Sequence, residues 1–406
     1  MTNVNINPNN KLLDCYTNGD FNLFSLLVDE GQNVNCLDNE KKSLISIIIK
    51  NPYNLKNNRK FFDKLIANGV SFKQIGWEED LLTTCVKHQT DLYYAKKLLK
   101  NKININAIGI SRENYDENKC YDDDERYEDY NMHENFMTTP YGPPIFEALK
   151  LKKIEYFDLF LKNNADVRII DHNGNSILHF FIKNCAETYS MKNFNRIFKI
   201  LLDCEIDHNS RDEGGADVLN LMSKHYLDDL FPVFFKKIKD VNINSFDNYG
   251  RTPLMHSISY ESGLSMVTKS LVKRKANLDA FTLGGYNALM KCLSTENLPT
   301  MKFLITNGAN IQSANKKGDT VLHCLAKIDD HVYDNIYNKF YNIILKNNPN
   351  LLLQKNNHGL STLHILKNKG LYNGAKKQLI NVFLQKIKTA KKKNKKASKK
   401  STDRCH

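Results

Sequence analysis

Six glycines set a rhythm through this 406-residue chain: Gly174, Gly215, Gly250, Gly285, Gly318 and Gly359, spaced 41, 35, 35, 33 and 41 residues apart. Four of them open one phrase: Gly174-Asn-Ser-Ile-Leu-His179, Gly250-Arg-Thr-Pro-Leu-Met255, Gly318-Asp-Thr-Val-Leu-His323 and Gly359-Leu-Ser-Thr-Leu-His364. Gly285-Tyr-Asn-Ala-Leu-Met290 is a looser copy. Self-similarity at such a period means an array of small units. A chain of this length exceeds what one compact core usually supports. An array escapes that limit, because each unit buries its faces against its neighbours. The functional question therefore moves from an active site to a surface.

The phrase has a physical reading. The glycine suits a turn position that needs φ > 0. Thr252 is placed to cap a helix and Pro253 to occupy its first position, where a missing N–H is harmless. Leu178, Leu254, Leu289, Leu322 and Leu363 are expected to face the core between helices. A second phrase closes units: Leu26-Leu-Val-Asp-Glu-Gly31, Leu65-Ile-Ala-Asn-Gly69, Phe160-Leu-Lys-Asn-Asn164 and Leu304-Ile-Thr-Asn-Gly308. Each is an apolar helix end stopped by Gly or Asn. Together the phrases predict about ten units. The first has helices near 11–16 and 21–30. The next three begin at Asp38, near Gly76 and near Tyr141. The last six begin at Asp171, Asp212, Asp247, Thr282, Asn315 and Asn356, each three residues before its glycine.

The phrase resembles the core of the ankyrin repeat, Gly-x-Thr-Pro-Leu-His-x-Ala. The resemblance extends to about residue 388 and is strongest over 165–366, while Lys41-Lys-Ser-Leu-Ile-Ser46 is a degraded copy. It implies an all-α repeat fold, an ankyrin-type α-solenoid of about ten helix-turn-helix units with hairpin tips. It also implies partner binding on a concave surface made of tips and first helices. The expected organisation is divergent repeats over 1–108, an acidic insertion loop over 109–139, repeats over 140–388 and a disordered Lys-rich tail over 389–406. The two 41-residue spacings read as about eight residues added between the helices of the fifth and ninth units, at 184–192 and 328–335.

Charge is unevenly placed. The net +13 includes a tail, 386–406, with nine Lys and one Arg against one Asp, which leaves +4 for the first 385 residues. Residues 112–134 hold ten acidic and three basic side chains. The bias toward Asn, Lys and Ile fits an AT-rich genome, and this composition resembles ankyrin repeat proteins of large amoeba-infecting DNA viruses. No apolar run approaches the ~20 residues of a membrane helix. The run Leu44-Ile-Ser-Ile-Ile-Ile49 reads as a buried helix, and the N-terminus has no secretory pattern. An intracellular protein is expected, cytoplasmic or nuclear, in a host cell if viral.

Chemistry-bearing constellations are not found. There is no Walker, nucleophile-elbow, H-E-x-x-H or kinase signature. His179, His323 and His364 share one slot with Met255 and Met290, which marks a structural role. The nine cysteines are scattered, with Cys292 and Cys324 read as buried thiols. The acidic stretch 121–130 lacks the glycine and ligand spacing of a Ca²⁺ loop. No catalytic residue, metal or cofactor is assigned. Partner contact is assigned to tip residues Asn173, Asn248, Tyr249, Arg251, Tyr286, Lys317 and His358, of which Tyr249, Arg251 and Tyr286 are types enriched at hot spots. The expected function is a monomeric, non-catalytic scaffold or adaptor for an unidentified protein partner, a host protein if viral. The alternative is a nuclear or nucleic-acid-associated factor acting through Lys391, Lys392, Lys393, Lys395 and Lys396. No aromatic residue follows Phe383, so such binding would be sequence-blind.

Overall fold

The computed structural model describes residues 11–40, 42–51, 55–72, 80–88, 91–107, 143–171, 174–186, 190–259, 263–328 and 335–402. The 109–139 insertion, the expected starts near Gly76 and Tyr141, and Asn173 lie outside the described residues. The chain divides into two compact units, Met1–Asp207 and His208–His406, a boundary inside the stretch read above as one array.

Among its described residues the first unit holds five helix pairs: α1 (Lys11–Thr17) with α2 (Phe21–Asp29), α3 (Leu44–Lys50) with α4 (Leu55–Ala67), α5 (Leu81–His88) with α6 (Tyr93–Lys100), α7 (Pro144–Lys150) with α8 (Ile154–Lys162), and α9 (Ile177–Cys185) with α10 (Met191–Asp203). The second holds α11 (Val218–Lys224) with α12 (Phe231–Lys237), α13 (Pro253–His256) with α14 (Met266–Lys273), α15 (Ala288–Ser294) with α16 (Leu298–Thr306), α17 (Val321–Ile328) with α18 (Asn335–Asn347), and α19 (Thr362–Asn368) with α20 (Gly374–Thr402). First helices pack on first helices: α3 on α5, α5 on α7 and α7 on α9 in one unit, α11 on α13 through to α17 on α19 in the other. This side-by-side stacking is how short pairs bury a continuous core.

Local chemistry sets the ends of each pair. Two residues after the glycine, Ser176, Asp217, Thr252, Asn287 and Ser361 each accept a backbone N–H from three residues on, capping the first helix. The first three repeats lack the phrase and find other means. Asp20 caps α2 and Asp80 caps α5 through carboxylate oxygens at 2.9–3.0 Å. Phe61 on α4 fills the core between the first two repeats, ringed edge-to-face by Tyr16, Phe21 and Phe24 at centroid distances of 5.3, 5.3 and 4.8 Å.

Three expectations need correction. About half of the extra length of the fifth and ninth repeats goes into α10 and α18, each 13 residues against 8 and 9 for α14 and α16, while 187–189 and 329–334 lie outside the described residues. The amphipathic second helix can grow outward without disturbing the stack. The tail expected to be disordered from residue 389 continues α20 as one 29-residue helix to Thr402. Lys and Ala are strong helix formers, and neither Gly nor Pro interrupts residues 375–402. Cys292 is fully buried as expected, but Cys324 is only half-buried.

Candidate functional site

The tips between pairs are built around one side chain. The Asp171, Asp212 and Asp247 carboxylates accept the N–H four residues on, from Asn175, Ala216 and Arg251, at 2.8, 2.8 and 2.9 Å. Thr282, Asn315 and Asn356 supply an oxygen to the same bond at 3.0, 3.1 and 3.0 Å, so the turn survives without aspartate. Adjacent tips in the second unit are then tied backbone to backbone. The N–H groups of Asn248, Leu283 and Asn357 donate to the carbonyls of Gly214, Tyr249 and Lys317 at 2.9, 2.9 and 3.1 Å. The Asn248 and Asn357 side chains add a second rung, each donating to a carbonyl of the preceding tip at 2.9 Å.

The recurrent histidine belongs to this framework. His323 Nδ1 accepts from Thr320 N–H at 3.2 Å, and its Nε2 lies 3.1 Å from the Leu360 carbonyl of the following tip. Those contacts require the neutral Nε2–H tautomer, and burial holds the imidazole below its ordinary pKa. His364 pairs with Ser361 Oγ at 2.9 Å, and His179, fully buried, with Ser176 Oγ at 2.6 Å.

Between the tips and first helices of repeats six to nine lies a half-open groove of about 600 Å³. Tyr249, Arg251 and Tyr286 converge on it. Tyr249 and Tyr286 are 64% and 52% exposed, and the Arg251 guanidinium lies over the Tyr249 ring at 4.6 Å. Arg251 Nε also donates to Asp247 Oδ2 at 2.7 Å, which fixes its position. Beneath it His256 Nε2 reaches the same carboxylate oxygen at 3.0 Å. Burial pushes the His256 imidazole down to about 4, against the pull of Asp247, whose charge is already shared with Arg251 and two backbone N–H groups. The imidazole is thus neutral at pH 7 and donates its Nε2–H to Asp247.

The other assigned tip residues scatter. Asn248 spends its amide on the neighbouring tip. Lys317 is exposed and lines an adjoining groove of about 480 Å³ that shares Tyr286 and Leu283. His358 is exposed one tip further on, outside both grooves. Lys391 and Lys392 are exposed on α20, and Lys393, Lys395 and Lys396 continue the same helix. Sequence reasoning missed Leu283, which is 77% exposed on the groove rim, as well as His256, Lys224 and Lys291 in its lining. Leu283 follows Thr282 as Asn248 follows Asp247, so its slot could have marked it. In the adjoining groove, burial and the Asp319 carboxylate raise the Cys324 thiol to about 11, which suits it poorly to nucleophilic work.

No family model matches the chain. An ankyrin repeat protein of Variola virus is 29% identical over 124 residues, 30% of this chain and 22% of that protein. An ankyrin repeat protein of Acanthamoeba polyphaga mimivirus is 24% identical over 187 residues, 44% of this chain and 23% of that protein. Over these stretches the chain is similar to ankyrin repeat proteins. The chain spans less than a quarter of the length of the curated relatives it matches. The ankyrin repeat domain of Bcl-3, a member of the IkappaB protein family, is similar with a TM-score of 0.47 and 15% identity, covering 60% of this chain and 97% of that one. Among the described residues no helix is long and apolar enough to cross a membrane.

Proposed function

We propose that this ankyrin chain is a non-catalytic interaction scaffold or adaptor that binds a protein partner on the surface formed by its tips and first helices. The observation that carries this reading is the convergence of Tyr249, Arg251 and Tyr286, from adjacent repeats, on one groove. Aromatic side chains beside a fixed guanidinium are the residue types that anchor interfaces. The Asp247 carboxylate and the His256 imidazole beside it are engaged in turn bonds. The relatives are proteins of a poxvirus and a mimivirus, so the partner is sought first among host proteins. A pulldown from host-cell extract with mass-spectrometric readout tests the reading. Changing Tyr249, Arg251 and Tyr286 together to Ala should release the principal partner; a variant that retains every partner removes this surface from consideration.

A second reading attaches to α20, whose exposed Lys391 and Lys392 begin a cationic helical stretch. Lysines distributed around a helix bind polyphosphates by counterion release, without base readout. Deleting residues 389–406 should abolish salt-sensitive retention on nucleic acid, and unchanged retention would sink that reading.

A further inference from the structure

We infer that the groove in the second unit takes an acidic, extended peptide segment bearing aliphatic or aromatic anchors. This deepens the interaction-scaffold reading and rests on it. The lining contains Lys224, Arg251 and Lys291 and no carboxylate side chain. Lys224 is exposed and Lys291 half-buried, and neither forms an ion pair among the described residues. Arg251 is different in kind. Asp247 holds its Nε and Tyr249 lies against its face, so its remaining N–H groups are presented with little rotamer entropy left to lose.

The groove is not merely cationic. Met255 and Ile258 form a buried apolar floor, while Leu283 and Tyr286 stand exposed at the rim. A polyphosphate finds no partner in that floor, whereas a peptide alternating acidic and apolar side chains satisfies both chemistries at once. The adjoining groove extends the same character, since it shares Leu283 and Tyr286 and adds Lys316 and Lys317. Its carboxylate, Asp319, is already paired with Lys327. Two contiguous half-open grooves suit an extended segment better than a compact ligand.

Selection of a random peptide display library on the full chain tests this. The selected peptides should be enriched in Asp and Glu together with Leu, Ile, Val or Phe, and their binding should weaken with salt. Lys224→Glu/Lys291→Glu should lower their affinity about tenfold or more, since like charges then face each other. Lys224→Gln/Lys291→Gln should lower it less, and Leu283→Ser should lower it without changing the salt slope. Far-ultraviolet circular dichroism of each variant confirms the fold. Selected peptides that are neutral or basic, yet lose binding on Leu283→Ser, overturn the acidic class and leave the surface reading standing. Peptides indifferent to all these changes, or no selected peptides, overturn both. Oligo-dT bound through Lys224 and Lys291 in place of any peptide overturns the peptide class in favour of nucleic acid.

Discussion

Gly215 and Gly359 occupy the same slot at φ +72° and +73°, yet they face different surroundings. An Ala at either position suffers the left-handed penalty of about 1–2 kcal/mol. At Gly359 a Cβ would meet nothing within 4 Å, whereas at Gly215 it would lie 2.1 Å from Asn248 Oδ1 and 2.8 Å from Asn248 N. Gly215→Ala must therefore also break the rung between tips, and should cost about 3 kcal/mol or more. Urea midpoints compare the two, and equal losses would contradict the account. The phrase made the turn visible, but not the close approach of the next tip, because the group in conflict lies 33 residues away. Exposed Leu283 was hidden for a related reason: an apolar residue reads as core until the turn geometry is known. His256 adds a dependence on pH. Its folded pKa is depressed from 6.5 to about 4 by burial, opposed by Asp247 and supported by the Arg251 and Lys224 charges. A depressed pKa means that its contribution is complete above pH 6.5 and is lost as pH falls toward 4, on the order of 3 kcal/mol. Stability measured across that window should fall less steeply in His256→Gln than in the parent chain.

Helix ends recur as one device across the elements. Lys275 N–H donates to the Val272 carbonyl and Ala276 N–H to that of Leu271, at 2.9 and 3.1 Å, which is the paired bond of a Schellman stop. The N–H groups of Val70, Ala165 and Ala309 return in the same way to the carbonyls of Leu65, Phe160 and Leu304. Where Gly or Asn takes the left-handed residue, as at Gly69, Asn164 and Gly308, the stop was legible. Lys102, Lys152 and Lys275 take it at φ 60°, 59° and 61°, and Lys carries no such signal. At Lys275 the following Ala276 is buried, and its packing holds the turn there against local preference. Lys275→Gly should therefore stabilise the chain by about 0.5–1 kcal/mol, set by relief of the left-handed strain less the added unfolded-state entropy. A thermal midpoint that falls in this variant would mean that the lysine side chain itself supports the end of α14. The second helices show the opposite limit of sequence reading. Spacing counted the residues added to the fifth and ninth repeats but could not say whether helix or loop absorbed them. The amphipathic pattern of α10 continues through its added turns, burying Phe194, Ile197, Phe198, Leu201 and Leu202.

At the scale of the molecule, the period was enough to predict stacked helix pairs, and the proteins the chain resembles over part of its length are ankyrin repeat proteins. The period could not place the division at Asp207, because a compact unit is defined by contact density and not by any change in the repeated phrase. The groove was legible only in part: Tyr249, Arg251 and Tyr286 stood out by type, but the lysines and the apolar floor come from first helices whose alignment needs the fold. Stacking also dictates how damage should spread. In a repeat array, stability is close to a sum of local terms and nearest-neighbour interfaces. Leu289 on α15 is fully buried, and α15 packs on α13, α16 and α17. Leu289→Ala removes apolar contact and leaves a cavity, at a cost of about 2–5 kcal/mol. Native-state hydrogen exchange should then show the deepest loss of amide protection in α13, α15, α16 and α17. The loss should fade toward α19 within the second unit and be least in α3, α4 and α5 of the first. A uniform loss across both units would mean that all ten pairs open as a single cooperative block, and the nearest-neighbour description would then fail for this chain.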